Sequence, residues 1–266
     1  RASRPDRFVG TLTPLEGVSV SSIVTTVSKR IDKAIFGYEL IRPGDRVLIG
    51  LSGGKDSVTL AHQLAQKARG FSIPFEVAAV HIRTEYADLD GIDRLRELAG
   101  ELGMPFEQIT VSLEGRLKPG RKMNCYWCST QRRTELLRYA QAHGYTRIAL
   151  GHHMDDILET FLMNLTHKGE ISTMLPVLRY DTYPQWIIRP LAWVTEEQTE
   201  AYAREIGFEA VRCRCGYDTT SRRKRVRRIL DTIIEREGEG ARRQMMEALH
   251  NVRTRYMPEF APERTE

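Results

Sequence analysis

The run Arg46-Val47-Leu48-Ile49-Gly50-Leu51 leads without a spacer into Ser52-Gly53-Gly54-Lys55-Asp56-Ser57. The first six residues have the continuous apolar character of a strand covered on both faces, as in a parallel sheet. The next six form a glycine-rich turn, and residues 57 to about 69 then carry helical spacing. A buried strand, a tight turn and a helix in immediate succession make half of a βαβ unit, so the expected fold is α/β with a mostly parallel sheet. Such a turn points backbone N–H groups outward at the positive end of a helix, which suits it to hold phosphate or pyrophosphate. Ser52, Gly53, Gly54 and Ser57 are the expected donors, Lys55 supplies positive charge, and Asp56 is a candidate Mg²⁺ ligand. The string is not a Walker A loop, because Asp56 follows Lys55 where Ser or Thr would stand and no glycine lies five places before Gly54.

The same alternation continues downstream. Strands are predicted over 75–82, 105–111, 147–150 and about 186–191, with helices over 88–103, from Cys125 to near Gly144, and after His153. Thr195-Glu196-Glu197-Gln198 is a capping box that opens a further helix ending near Gly207. Ahead of the first strand, Ile23, Val27, Ile31, Ala34 and Ile35 mark an amino-terminal helix. Near residue 210 the alternation stops, and two helical stretches follow, 221–237 and 240–256. The chain of 266 residues thus divides into an amino-terminal segment (1–42), a phosphate-loop domain (43–210) and a cysteine-containing basic helical extension (211–266) packed on the same domain. No apolar run approaches the roughly 20 residues a membrane helix needs, and no cleavable leader is visible, so a cytoplasmic location without membrane contact is expected.

Three further groups carry chemistry. Cys125-Tyr126-Trp127-Cys128 and Cys213-Arg214-Cys215 are two close pairs about 85 residues apart. That spacing admits a structural zinc site, a three-cysteine iron–sulfur cluster with one iron open, or a persulfide-carrying thiol pair. Asp155 and Asp156 open a helix directly after a predicted strand, where either one can simply cap the helix. They also fall at the carboxyl edge of the sheet, beside Gly151 and the phosphate loop, and there Mg²⁺ ligation or support of the reacting group is expected. His152 and His153 are minor candidates for orienting substrate. Finally, six of the seven residues from Arg222 to Arg228 are basic (Arg222, Arg223, Lys224, Arg225, Arg227 and Arg228). With Val226, Ile229, Leu230 and Ile233 on a buried helical face, these cations are expected to point outward, towards a phosphate backbone. Arg132 and Arg133 are expected to join them. A net charge of +5 is compatible with a polyanionic partner.

In this order, Ser52-Gly53-Gly54-Lys55-Asp56-Ser57, Cys125-x-x-Cys128, Leu150-Gly151-His152-His153-Met154-Asp155-Asp156-Ile157-Leu158, Ile188-Arg189-Pro190-Leu191 and a late Cys-Gly before a basic helix resemble the tRNA cytidine 2-sulfurtransferases. The resemblance runs from about residue 20 to 258. It implies a doubly wound fold of the adenine nucleotide α hydrolase type, and use of ATP and Mg²⁺ to adenylate the C2 oxygen of an anticodon-loop cytidine at position 32. Sulfur then displaces AMP. It also implies a [4Fe-4S] cluster on three cysteines, which places the cluster ahead of zinc, with Cys125 and Cys128 as the first two ligands. The family's Cys-x-x-Cys-Gly stands here as Cys213-Arg214-Cys215-Gly216, leaving the third ligand to Cys213 or Cys215, with Cys213 preferred. The segment Thr166-His167-Lys168-Gly169-Glu170 also departs from a more glycine-rich family pattern. Asp56, Asp155 and Asp156 are the expected catalytic carboxylates, and Ser52 to Ser57 with Gly151 the ATP-binding residues. Expected partners are tRNA and a sulfur donor, such as a cysteine desulfurase or free sulfide, with a homodimer as an allowed assembly. The rival readings are another phosphate-loop tRNA-modifying enzyme, of the 2-thiouridine type or amine-transferring, and a non-catalytic zinc-stabilised RNA-binding module.

Overall fold

The computed structural model describes residues 22–85, 89–117, 120, 123–209 and 221–257. Its strands are β1 (Arg46–Gly50), β2 (Glu76–Arg83), β3 (Phe106–Thr110), β4 (Arg147–Ala149), β5 (Val177–Arg179) and β6 (Trp186–Ile188). They form one sheet in the order β3-β2-β1-β4-β6-β5, parallel throughout except that β5 runs antiparallel to β6. The chain steps outward from β1 to β2 and β3, then crosses back to β4 on the other side of β1. This reversal creates a switch point between β1 and β4, where the carboxyl ends of open α/β sheets leave room for a ligand. The phosphate loop leaves β1 at that point.

The helices are α1 (Ser22–Gly37), α2 (Lys55–Gly70), α3 (Leu89–Glu101), α4 (Cys125–Ala142), α5 (Met154–His167), α6 (Glu196–Glu205), α7 (Ser221–Glu237) and α8 (Gly240–Ala248). Because strand side chains alternate between faces, one strand feeds two cores. Val47, Ile49, Ala149 and Ile188 join the larger core with residues of α1, α2, α5, α6, α7 and α8. Leu48, Ile148 and Ile187 face the smaller one, covered by Leu136, Leu137 and Ala140 of α4. This is the doubly wound arrangement expected from the sequence.

Three details differ from the sequence-based expectation. The edge strand β5 is new: three residues are too short to show a period, and only pairing with β6 defines it. The helix predicted over 240–256 ends at Ala248, and a separate 3-10 turn covers Thr254–Tyr256. On α7 the buried positions are Val226, Leu230 and Ile234, an i, i+4, i+8 row, so Ile229 is left exposed. Among the described residues, no helix is long and apolar enough to cross a membrane.

Candidate active site

The phosphate loop is held in shape by its own serines. Ser57 Oγ donates to the Gly54 carbonyl (2.9 Å) and accepts from Ser52 N–H (3.2 Å) and the Ser52 hydroxyl (3.0 Å). Gly53 sits at φ +89, a conformation that a side chain would strain. Gly151, at the end of the neighbouring strand, faces the start of α2 so closely that a Cβ there would lie 2.9 Å from Ser57 N and 3.0 Å from the Asp56 carbonyl carbon. Both neighbours are backbone, so only glycine fits. Ser52, Asp56 and Ser57 of the loop line the floor of a cleft of about 260 Å³ bounded by Leu51, Val80, Ile82 and Leu150, with Ser129, Arg132, Arg133 and Leu136 of α4 as one wall and His152 and Asp156 on the other side, while Gly53, Gly54 and Lys55 lie outside its lining. Of the expected site residues, Ser52, Asp56, Ser57, Gly151, Asp156, Arg132 and Arg133 meet in this one space.

Electrostatics around the cleft are coupled. Lys55 Nζ lies 3.0 Å from Glu196 Oε1 and 3.3 Å from Asp56. Burial works against the ammonium, yet the two carboxylates outweigh it and hold Lys55 above its ordinary pKa. Asp56 Oδ1 also accepts from the Thr199 hydroxyl at 2.5 Å. Asp156 accepts from His153 N–H (3.1 Å), capping α5, and pairs with Arg223. Burial opposes ionisation of Asp156, but His153 and Arg223 prevail and lower its pKa. His153 is buried beneath these acids, its Nε2 3.6 Å from Asp156 and 3.9 Å from Asp56.

Asp155, expected at the reacting centre with its neighbour, is turned elsewhere. One oxygen accepts from Arg242 Nε of α8 and the other from Glu196 N–H, both at 2.8 Å. Both Asp155 and Arg242 are buried. Asp155 thus ties α5 to α6 and α8, while Asp156 alone of the pair lines the cleft.

The basic run corrects a second expectation. Arg222, Lys224, Arg225 and Arg228 are exposed, but Arg223 and Arg227 turn inward. Arg223 bridges Asp156 and Glu159, and Arg227 bridges Glu159 and Glu196. The physical reason is Glu159, only 1% exposed on the inner side of α5, whose two oxygens each accept from an arginine Nε at 2.6 Å. A buried carboxylate requires such partners, and an i, i+4 pair flanking the row of Val226 and Leu230 provides them. Sequence reading passed over Glu159; its position within the apolar run Ile157-Leu158-x-x-Phe161-Leu162 was the available signal.

Cys125 and Cys128 lie three residues apart in the first turn of α4, on one face and half-buried. Asn124 caps that turn by accepting from Trp127 N–H at 2.9 Å. Two thiols so placed fit the first half of a thiolate-ligated centre. Cys213 and Cys215 lie outside the described residues. Sequence reading also left Arg189 without a role: it is 3% exposed, and its Nε donates to His152 Nδ1 at 3.3 Å.

A family model described as a PP-loop domain matches residues 23–233. The chain is 40% identical over 243 residues to the tRNA-cytidine(32) 2-sulfurtransferase of Xanthomonas axonopodis pv. citri, covering 90% of this chain and 78% of that protein. It is 41% identical over 239 residues to the protein of the same name from Xanthomonas campestris pv. campestris, covering 88% and 78%. Among solved structures, the U34-tRNA thiolase NcsA from Methanococcus maripaludis with its [4Fe-4S] cluster superimposes with a TM-score of 0.70 at 23% identity, over 86% of this chain and 80% of that one. That likeness is one of fold.

Proposed function

The chain belongs to the tRNA-cytidine(32) 2-sulfurtransferase family of PP-loop proteins, and from this premise we propose that it is an ATP-dependent tRNA sulfurtransferase that adenylates the C2 oxygen of cytidine 32 and replaces it with sulfur. The observation that carries the reading is one cleft, at the β1/β4 switch point, whose floor is the glycine-rich loop and whose wall is the helix that begins with Cys125 and Cys128.

A ring carbonyl oxygen is a poor leaving group, whereas AMP leaves readily, so attack of O2 on the α-phosphate of ATP prepares C2 for a sulfur nucleophile. The loop and the first turn of α2 receive the departing pyrophosphate, and Lys55 supplies charge at the same place. Asp56 and Asp156 would hold Mg²⁺ there; Asp155 acts through its Arg242 and Glu196 contacts to fix the helix that presents Asp156. Arg132 and Arg133 on the α4 wall meet phosphate oxygens of the nucleotide or of tRNA, and the outward Arg222, Lys224, Arg225 and Arg228 continue that surface. Arg223 and Arg227 hold α7 in place from beneath.

Cys125 and Cys128, with Cys213 or Cys215, would hold a [4Fe-4S] cluster, which when bound supplies an iron with an open position for sulfide. The sulfur source in this reading is a cysteine desulfurase or free sulfide, and the reaction takes place in the cytoplasm, where tRNA is available. Anaerobic purification with iron, sulfide and zinc analysis, followed by a tRNA-dependent assay of pyrophosphate release and sulfur incorporation, tests it. The expected result is a brown iron–sulfur protein that releases pyrophosphate only with tRNA. Cys125→Ser should lose sulfur incorporation and keep pyrophosphate release. A colourless protein with stoichiometric zinc that consumes no ATP in the presence of tRNA would sink the proposal in favour of an RNA-binding module.

A further inference from the structure

Arg189 follows β6 at the sheet edge that carries the phosphate loop. Its backbone N–H donates to the Pro176 carbonyl at 2.9 Å, and its guanidinium donates to the Leu175 carbonyl as well as to His152. Among the described residues, no carboxylate forms an ion pair with it. A guanidinium only donates hydrogen bonds. Where its Nε–H meets the ring, His152 Nδ1 must therefore be the accepting nitrogen, and a neutral ring then carries its proton on Nε2. His152 lines the cleft beside Asp156, and its Nε2 has no partner among the described residues. Burial, reinforced by the charge of Arg189, pushes the His152 pKa down to about 4, so the ring is neutral near pH 7.

We propose that His152 selects cytosine over uracil as the acceptor base, its Nε2–H donating to the unprotonated N3 of cytosine, and that Arg189 is the positioning residue that fixes this donating tautomer. The inference rests on the function proposed above. Cytosine and uracil offer the same C2 carbonyl for activation and differ along the ring edge at N3, which is an acceptor in cytosine and an N–H donor in uracil. A fixed donor pairs with the first and meets the second head-on, leaving two donors unsatisfied in a partly dehydrated cleft. Without Arg189 the imidazole is free to adopt the Nδ1–H tautomer, whose Nε2 accepts.

The experiment uses the cluster-loaded full chain and two tRNA transcripts that differ only in C or U at the target position, with sulfur incorporation measured in single turnovers. Wild-type protein should favour C by about 10- to 100-fold. His152→Leu, which removes the donor, should bring that ratio down to within roughly threefold of unity with ATP affinity unchanged, whereas His152→Gln, whose oxygen accepts from Arg189 and so turns its NH₂ towards the base, should retain more of the preference. Arg189→Lys, which keeps a donor, should retain more of the preference than Arg189→Met. Ring-nitrogen NMR of ¹⁵N-histidine-labelled protein should report His152 as the Nε2–H tautomer. An unchanged C/U ratio in His152→Leu, or an Nδ1–H tautomer in wild type, overturns the inference while leaving the parent function standing. Wild-type protein that acts on neither transcript overturns both.

Discussion

Replacing Gly151 with alanine tests whether the glycine at the end of β4 is what allows the phosphate loop to seat. The added Cβ would stand 2.9 Å from Ser57 N, 3.0 Å from the Asp56 carbonyl carbon and 3.1 Å from Ser57 Cα. Ordinary contacts to carbon begin near 3.5 Å, so the start of α2 must withdraw by about half an ångström. No flexible side chain is available to yield, since all three neighbours are main chain. Overpacking of this kind costs about 1–3 kcal/mol, which for a chain of this size lowers Tm by roughly 2–4 °C for each kcal/mol. The functional loss should be larger than the stability loss suggests, because the atoms displaced belong to the loop proposed to hold pyrophosphate. Differential scanning calorimetry gives the first quantity, and titration with a non-hydrolysable ATP analogue gives the second. Gly70→Ala, where nothing lies within 4 Å of the new Cβ, is the control and should leave both unchanged. A Gly151→Ala protein with wild-type Tm and nucleotide affinity would refute the close-approach reasoning.

Glu159→Gln should loosen α7, since a neutral amide cannot hold two arginines as the carboxylate does. Because Arg223 and Arg227 are each 39% exposed, the loss is taken at the low end for charged hydrogen bonds, about 1–2 kcal/mol, and faster proteolytic cleavage near α7 should accompany weaker tRNA binding. Arg225→Ala and Arg228→Ala, on the exposed side of the same helix, should each reduce the slope of log K against log salt for tRNA by about 1 if they contact phosphates, without altering nucleotide affinity. For acid stability the sign follows from His152, whose pKa of about 4 lies below its unfolded value near 6.5: the unfolded chain binds the extra proton between these limits, so stability falls as pH drops through that window. Urea titrations from pH 7 to 4 should show this decline, and His152→Gln should make it shallower. Asp156 and Glu196, both held below the ordinary carboxylate range, add a further loss at still lower pH.

How much of this was visible in the sequence depends on how local each feature is. The strand and loop from Arg46 to Ser57, the helix after His153 and the paired cysteines are all specified by neighbours within a turn or two, and the first two appear in the fold where their spacing put them. Asp155 shows the limit. From sequence it is indistinguishable from Asp156, yet Arg242, 87 positions away, commits it to holding helices together. The inward turn of Arg223 and Arg227 likewise depends on Glu159, 64 and 68 positions away. Charge runs reveal quantity, while direction is set by which buried acid needs a partner. Edge strand β5 was missed because its three residues become a strand only through β6.

The floor of the cleft has a further consequence. At Gly50 and Gly151 two strands give up their side chains, the first because a Cβ would press on Leu136 and Leu150, the second because it would strike the backbone of α2. Main-chain atoms offer the same N–H groups whatever residues surround them, so point substitution cannot retune this surface without displacing it. Any adaptation of the scaffold to another base or nucleophile is therefore confined to the walls, α4 on one side and the His152–Arg189 side on the other, and mutational libraries aimed at new substrates belong there.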